Sequence, residues 1–521
     1  RISARVLNTY GMGSCCCVPV VGHRAPTTHG KLQHHKSTSN SSGNGTRYRS
    51  KSNSRETSFN RELTFRHSFT WQNPGQINDF YEMKTQPLGE GGFGVVTKAK
   101  NIVTGNTVAI KSLQKDSIDD IGAFKKEVNV QIDLDHQHIV KLYEIFEDSF
   151  KFYLVMELCT GGELFDRISD AVDKAGHGAF DETHAATYMQ QILSAISYLH
   201  FQEVAHRDIK PENFLMEDSS EDAKIKVIDF GLSKQFTPGE KMLTAAGTPF
   251  YAAPEVVLGD GYDERCDVWS CGIILYILLC GYPPFNGDTD AAVLREVVRG
   301  RFEFESPHWD DVSQAPRKLI KRMLTLDAKK RPTAHDCMEN RWLHDHAEKP
   351  KRTVHIDLGN RLRTFRGASK FKKVALTLIA SQLPQKDIDD LRDAFTTLDL
   401  DQDGMLSVQE IQEGMAKSDL QLPDDIMELL SAIDSDGSGQ IDYTEFLAAT
   451  IERQQYLKKE VLWAAFSRLD KSHDSLIHKS DIQGLLKETD DSALVDDILN
   501  DIDVHGDGEI SFQDFCDLMG Q

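Results

Sequence analysis

Two sets of residues in this 521-residue chain have the types and spacing that chemistry on phosphate requires. The first is Gly89-Glu90-Gly91-Gly92-Phe93-Gly94, a GxGxxG loop whose glycines let backbone N–H groups approach a phosphate closely. Alone it is weak evidence, since it could open a dinucleotide-binding fold. That fold needs a helix directly after the loop, whereas Val95 to Lys100 (VVTKAK) reads as a strand. A second strand carries Val108-Ala109-Ile110-Lys111, and a GxxxxGK[ST] loop does not occur. The second set is His206-Arg207-Asp208-Ile209-Lys210-Pro211-Glu212-Asn213, with Asp229-Phe230-Gly231 beginning 16 residues after Asn213. Phosphoryl transfer needs negative charge held and neutralised, and these residues suit it. Lys111 supplies a fixed positive charge, Asp229 and Asn213 offer oxygens to hard Mg²⁺, Asp208 can accept a hydroxyl proton, and Lys210 can steady the transferring group.

A third set binds a different cation. Asp399, Asp401, Asp403, Gly404, Met405 and Glu410 occupy every diagnostic position of a twelve-residue EF-hand loop, 399–410. The carboxylates meet a hard ion, Met405 offers a carbonyl, and Glu410 can bind bidentately. Asp434, Asp436, Ser438, Gly439, Gln440 and Glu445 do the same in loop 434–445. Two further loops are imperfect. In 470–481, Asp470, Ser472, Asp474 and Leu476 are present, but Ser475 replaces the sixth-position glycine and Asp481 ends the loop. In 503–514, Asp503, His505, Asp507 and Glu509 are followed by Asp514. An Asp at position 12 reaches the ion less easily than Glu, so weaker Ca²⁺ binding, or Mg²⁺ occupancy, is expected there. First positions recur at intervals of 35, 36 and 33 residues, an internal repeat.

With Ala253-Pro254-Glu255 placed 22 residues after Gly231, five motifs stand in the order and spacing of a eukaryotic-type Ser/Thr protein kinase, which residues 80–343 resemble. The resemblance implies a bilobal α+β kinase fold with ATP as phosphate donor. It pairs Glu127 with Lys111 and makes Met156-Glu157-Leu158-Cys159 the gatekeeper and hinge. Backbone groups of Glu157 and Cys159 would hold adenine, with Leu88, Val96 and Ala109 around it. Asp267 and Arg331 match structural positions, the latter expected to pair with Glu255. Glu163 and Glu212 match positions that contact a substrate arginine upstream of the phosphosite, although Glu163 also suits ribose. Thr244 stands at the spacing of an activation-loop phosphosite, where Arg207 could pair with the phosphate.

Composition and charge set the elements that position these groups. Apolar residues make up 40% and charged residues 27%, a globular balance. The longest apolar run, Cys271 to Cys280, is about half of a membrane span. No apolar region follows the first basic residues to make a secretory signal, and the nine cysteines show no paired CxxC spacing. Net charge is −22, yet residues 1–73 carry +9 and residues 381–521 carry −23. An acidic excess at one end argues against nucleic acid as the main partner and suggests a cation-binding module instead.

Residues 1–79 form a basic, Ser/Asn-rich extension expected to be disordered. Within it, Met12-Gly13-Ser14-Cys15-Cys16-Cys17 resembles a start. Were translation to begin at Met12, Gly13 would accept myristate and Cys15, Cys16 and Cys17 palmitate, giving a cytoplasmic protein peripherally attached to membrane. Cys17 stands where Ser or Thr is preferred.

Residues 344–385 form a junction in which Arg361 to Ile379 holds six Lys/Arg and no acid, with Leu362, Phe365, Phe371, Val374 and Leu378 near helical spacing. This is a basic amphipathic, calmodulin-target-like helix. Residues 386–521 then make an all-α calmodulin-like domain of two EF-hand pairs. The whole order resembles the calcium-dependent protein kinases of plants and protists. That resemblance implies autoinhibition by the junction, release when the chain's own EF-hands bind Ca²⁺ and take up the junction, and protein substrates with basic residues near Ser/Thr. A kinase needing separate calmodulin, and a non-catalytic sensor or scaffold, are the alternatives.

Overall fold

The structure is a computed structural model that describes residues 71–73, 75–91, 94–118, 120–175, 179–243, 247–348, 357–384, 387–417, 425–434, 437–472, 474–483 and 509–520. The N-terminal lobe is an antiparallel sheet of β2 (Tyr81–Gly91), β3 (Gly94–Asn101), β4 (Thr107–Gln114), β5 (Leu142–Glu147) and β6 (Lys151–Met156), ordered β5-β6-β4-β3-β2. Its β-branched and aromatic residues bury opposite faces. Ile110, Phe146 and Val155 lie on one, and Leu113, Phe152 and Leu154 on the other, under helix α2 (Ile121–Ile132). Asp120 caps α2 by accepting the Ala123 N–H at 3.0 Å.

The extension was expected to be disordered through residue 79, and here the structure differs. Trp71–Asn73 forms strand β1, parallel to β5, and Ile77–Phe80 forms helix α1. The edge of β5 presents unpaired backbone groups that β1 satisfies, and Ile77 has an apolar site beside Tyr81, Ala99 and Phe146.

The C-terminal lobe is helical: α3 (Leu164–Ala175), α4 (Glu182–Phe201), α5 (Pro254–Leu258), α6 (Arg265–Cys280), α7 (Asp290–Arg299), α8 (Gln314–Met323), α9 (Ala334–Met338) and α10 (Arg341–His346). Short pairs β7 (Val204–Ala205) with β10 (Lys234–Gln235), and β8 (Phe214–Met216) with β9 (Ile225–Val227), frame the catalytic loops. Every residue of α6 after Arg265 is buried. The apolar run Cys271–Cys280 is thus the lobe's central helix, apolar all round because protein surrounds it. Among the described residues no helix is long and apolar enough to cross a membrane.

The junction was expected to be one helix and is two, α11 (Leu358–Arg366) and α12 (Lys370–Ala380). Gly367 closes the first, and the Ser369 hydroxyl caps the second by accepting the Lys372 N–H at 3.3 Å. The sensor follows as α13 (Asp389–Leu398), α14 (Val408–Lys417), α15 (Ile426–Ser431), α16 (Tyr443–Thr450), α17 (Arg453–Tyr456), α18 (Lys459–Leu469), α19 (Lys479–Gln483) and α20 (Phe512–Met519). Leu362, Phe365, Phe371, Ala375 and Leu378 of the junction share one core with Phe395, Phe446, Phe466 and Phe515 of the sensor. Calcium loops pair in the EF-hand manner, Leu406 with Ile441 by two backbone hydrogen bonds, and β11 (Leu476–His478) with β12 (Glu509–Ser511).

Candidate active site and calcium loops

Asp267, buried near the start of α6, organises the catalytic loop. Its carboxylate accepts the backbone N–H groups of His206 (2.9 Å) and Arg207 (2.8 Å) and lies 2.9 Å from His200 Nε2. Arg207 and Asp229 adopt left-handed φ of 68° and 62°, a cost of roughly 1–3 kcal/mol each that surrounding contacts must hold. For Arg207 those contacts are Leu232 O at 2.5 Å and the Tyr262 hydroxyl at 3.2 Å.

The expected catalytic residues converge. Asp208 Oδ2 accepts from Lys210 Nζ at 2.6 Å and from Asn213 Nδ2 at 3.2 Å, and Asn213 Nδ2 also donates to Asp208 O at 2.7 Å. Thr248, whose role sequence reasoning did not assign, donates its hydroxyl to Asp208 Oδ1 at 2.8 Å and accepts from Lys210 at 3.2 Å. Lys111 Nζ lies 3.6 Å from Asp229 Oδ1. Burial alone would raise the Asp229 carboxyl, but Lys111 beside it holds it below its usual range. Burial, then the charge of Asp229, pushes Glu127 up to about 7, against Lys111 and Arg207. An ionised Asp229 and the amide oxygen of Asn213 form a hard oxygen donor pair that fits a small dication.

The nucleotide loop is the β2–β3 hairpin, with Gly91 opposite Gly94, Glu90 opposite Val95 and Gly89 opposite Val96. Gly94 takes φ 136°, and a Cβ there would lie 2.2 Å from Ser112 O. Val96 pairs with Lys111, and Ala109 with Met156, the residue expected as gatekeeper, so these residues lie on neighbouring strands behind the hairpin. Leu88 precedes the turn, exposed. The Glu157 N–H donates to Lys141 O at 2.9 Å, so that N–H is engaged within the lobe. Its side chain pairs with the buried Lys226 at 2.9 Å, and Cys159 follows two residues on.

Glu163 and Glu212 lie around Lys210. Burial pushes Glu212 up to about 7, with Lys210 opposing and Glu163 adding. Glu163 is raised by burial and then by Asp166, with Lys210 again opposing. Glu212 Oε2 is buried with no hydrogen-bond partner. Arg331 grips Glu255 with two nitrogens, at 2.7 and 3.0 Å, as expected.

Asp399, Asp401 and Asp403 bring oxygens within 4.8 Å of one another. Burial first, then the crowding of neighbouring carboxylates, raises all three, Asp403 to about 6. Asp399 Oδ1 is buried without a hydrogen-bond partner. Crowded carboxylates with an orphaned oxygen fit a divalent cation. Met405 is buried, and the Glu410 carboxylate accepts N–H groups of Leu400, Asp401 and Ser407. In the second loop Asp434 accepts the N–H groups of Ser438 (3.0 Å) and Gly439 (2.9 Å), the Ser438 hydroxyl donates to Gln440 O, and Asp442 and Glu445 cap α16 reciprocally.

The third loop makes the same turn without glycine, Ser475 taking φ 71° where Gly404 has 86° and Gly439 has 82°. Asp470 accepts the Ser475 N–H at 2.8 Å and the Ser472 hydroxyl at 3.2 Å. Asp474 accepts the Leu476 N–H and is held by His478 Nε2 at 2.8 Å. Asp481 and Asp514 accept the N–H groups of His478 and Ser511, and Glu509 pairs with His478 across the β11–β12 ladder. Gly13, Cys15, Cys16, Cys17, Gly92, Phe93, Thr244, Asp436, Asp503, His505 and Asp507 lie outside the described residues.

The sensor contacts the kinase mostly through residues that sequence reasoning did not single out, and nowhere through contacts it foresaw. Arg392 of α13 bridges both oxygens of Glu217, at 3.1 and 2.8 Å, Lys224 reaches Asp393 at 3.3 Å, and Thr396 donates to Gln137 at 3.0 Å. Asp135 accepts the Thr444 N–H of α16 at 2.7 Å and Lys141 Nζ at 2.5 Å. Met405 of the first loop packs into the kinase core, and a Cβ on Gly404 would lie 2.1 Å from the His136 ring. From the second pair, Arg468 of α18 reaches Glu144, which also holds the Tyr81 hydroxyl (3.2 Å) and Asn73 (3.5 Å). These partners stand up to 324 positions apart, a separation that leaves no local pattern.

The protein kinase domain family matches residues 82–343, and the EF-hand domain pair family matches 388–451 and 459–520. Calcium-dependent protein kinase 3 of Plasmodium berghei is 39% identical over 469 residues, covering 87% of this chain and 82% of the relative. Calcium-dependent protein kinase 5 of Plasmodium falciparum is 37% identical over 86% of this chain and 79% of its own. Calcium-dependent protein kinase 21 of Arabidopsis thaliana is 36% identical over 85% and 83%.

Proposed function

The chain belongs to the calcium-dependent protein kinases, and on that premise we propose a Ser/Thr kinase specific for basic sequence contexts and switched by its own junction. It transfers the γ-phosphate of Mg-ATP to a hydroxyl preceded by a basic residue. At low calcium the junction, residues 344–385, blocks substrate access. Calcium in the EF-hands opens their apolar surfaces and draws the junction out. The observation that carries this reading is the burial of the junction's apolar faces in the sensor core while Asp208, Lys210, Asn213 and Asp229 stand assembled.

Asp208, oriented by Thr248 and Lys210, accepts the substrate hydroxyl's proton, and Lys210 steadies the moving phosphoryl group. Lys111 and the hairpin N–H groups hold the nucleotide phosphates. Mg²⁺ held by Asp229 and Asn213 supplies charge neutralisation when bound. Glu163 and Glu212 meet the substrate's basic residue, the orphaned Glu212 oxygen being the group that most needs a cation. Since Glu212 is charged only above about 7, the KM for an arginine-containing peptide should rise as pH falls from 8 to 6, and Glu212→Gln should flatten that dependence.

Moving the switch from about 1% to 99% active takes roughly 5.5 kcal/mol of differential binding. The test is phosphate transfer to a basic Ser peptide with calcium and then with chelator, no calmodulin added. Activity that collapses on chelation supports the reading, and equal activity sinks the autoinhibition. Attachment to membrane through Gly13 and Cys15 to Cys17, with translation from Met12, belongs to the same reading and is tested by incorporation of labelled myristate.

A further inference from the structure

Two adjacent lysines, Lys372 and Lys373, stand in the first turn of α12, and both are half-buried. The apolar burial of that helix comes from Phe371, Val374, Ala375 and Leu378, so it leaves the lysines unexplained. Both reach sensor backbone. Lys372 Nζ donates to Leu518 O at 3.0 Å and Met519 O at 3.2 Å, in the last turn of α20. Lys373 Nζ donates to Ala432 O at 3.1 Å, the carbonyl that closes α15. On α11, Arg361 does the same for α16, donating to Thr450 O at 2.5 Å.

Three junction cations thus end on the C-termini of three sensor helices. Carbonyls in the last turn of a helix have no partner within it, and the aligned peptide dipoles make that end negative. A cation placed there is held by hydrogen bond and charge together. The helices divide between the EF-hand pairs. α15 leads into loop 434–445 and α16 leads out of it, whereas α20 leads out of loop 503–514. Ala432 itself stands two positions before Asp434.

We propose that Lys372 and Lys373 are the positioning residues through which each EF-hand pair grips the junction separately, Lys373 serving the first pair and Lys372 the second. The proposal rests on the reading above, in which the calcium-loaded sensor takes up the junction. Neighbouring positions on a helix point about 100° apart, so a single register of α12 serves both bonds and a slip by one residue loses both. Burial, then the charge of Arg453, lowers the Lys372 ammonium below its usual range, and the α20 carbonyls offset that desolvation. Arg453 holds the same helix end through Gly520 O. Lys373 also lies 5.4 Å over the Phe365 ring, which ties its bond to α11. Coupling between two binding events is reciprocal. A pair that grips the junction more firmly with calcium must bind calcium less firmly once its lysine is gone.

The test uses full-length chains, with calcium as the ligand and calorimetry as the readout. Glu410→Gln with Glu445→Gln isolates the second pair, and Asp481→Asn with Asp514→Asn isolates the first. With the second pair isolated, Lys372→Met should weaken calcium binding about tenfold, the scale of one hydrogen bond to a charged group. Lys373→Met should leave that binding within about twofold, the usual margin for independent sites. With the first pair isolated the two lysines should exchange roles. Each is repeated as Lys→Gln so that one misfolded variant does not decide the result, and Lys→Arg, which keeps the charge, should restore most of the binding. Lys370→Met, an exposed lysine at the same end of α12, should change neither pair. Equal weakening of both pairs by either lysine overturns the proposal, as does a second pair that binds no calcium. Phosphate transfer by the wild-type chain is measured alongside, with calcium and with chelator. Stimulation by calcium with unaltered binding in the variants overturns this inference alone, while no stimulation overturns it together with the switch on which it rests.

Discussion

The two EF-hand pairs share one fold and differ in what they hold. The first has crowded carboxylates, glycine at the sixth position of both loops, and glutamate at the twelfth. It is also pressed against the kinase, with Gly404 on His136, Met405 in the kinase core, and Arg392 and Thr444 bonded to Glu217 and Asp135. In the second pair the third loop has Ser475 in the strained turn and Asp474 engaged by His478, and the pair reaches the kinase through Arg468. Backbone geometry is thus less demanding than ion chemistry. The β11–β12 ladder forms over an imperfect loop, whereas affinity for a hard cation depends on which oxygens stay unengaged.

The largest expected effect tests whether the pairs divide labour. Glu410→Gln with Glu445→Gln should bring the rate in calcium down to the chelator level, a loss on the order of 100-fold for a switch of this span. Asp481→Asn should keep more than about half the calcium-stimulated rate, set by the cooperativity of the remaining loops. Equal losses would erase the distinction.

Next come the two bridges. Arg392→Ala leaves Glu217 part-buried without its cation and should cost about 3 kcal/mol in thermal unfolding with calcium. Arg468→Ala should cost less, about 1–2 kcal/mol, because Glu144 keeps Tyr81 and Asn73. The reverse order would make the second pair the stronger anchor. His478→Ala frees Asp474 and should tighten calcium at the third loop about fivefold, ~1 kcal/mol, measured by calorimetry. A weaker site would show that the histidine supports the loop. Smallest is Ser475→Gly, which relieves the left-handed strain and should stabilise by about 1 kcal/mol or less. Destabilisation would mean that the Ser475 hydroxyl is needed.

How much of this was legible follows from how local each signal is. The motifs around Lys111, Asp208 and Asp229 lie in short runs with fixed residue types, so their roles could be read before any fold was known. Thr248 was missed because its bond to Asp208 spans 40 positions. The extension was misread at Trp71–Asn73 because pairing with β5 is decided by the open sheet edge, not by the three residues themselves. Gly367 stood visible inside the basic segment, yet only packing both junction helices into one core shows that the chain bends there.

By itself the sequence determined the kinase chemistry, the calcium loops, their unequal quality and the order of the domains, because each depends on residue types held at short, fixed spacing. The tertiary structure alone decided that the first calcium loop touches His136, that Arg392 and Arg468 anchor the sensor to opposite lobes, and that the junction arginines pair with sensor carboxylates. Those are contacts between surfaces distant in the chain, and pairing of complementary charge across such distances exists only once both domains have folded.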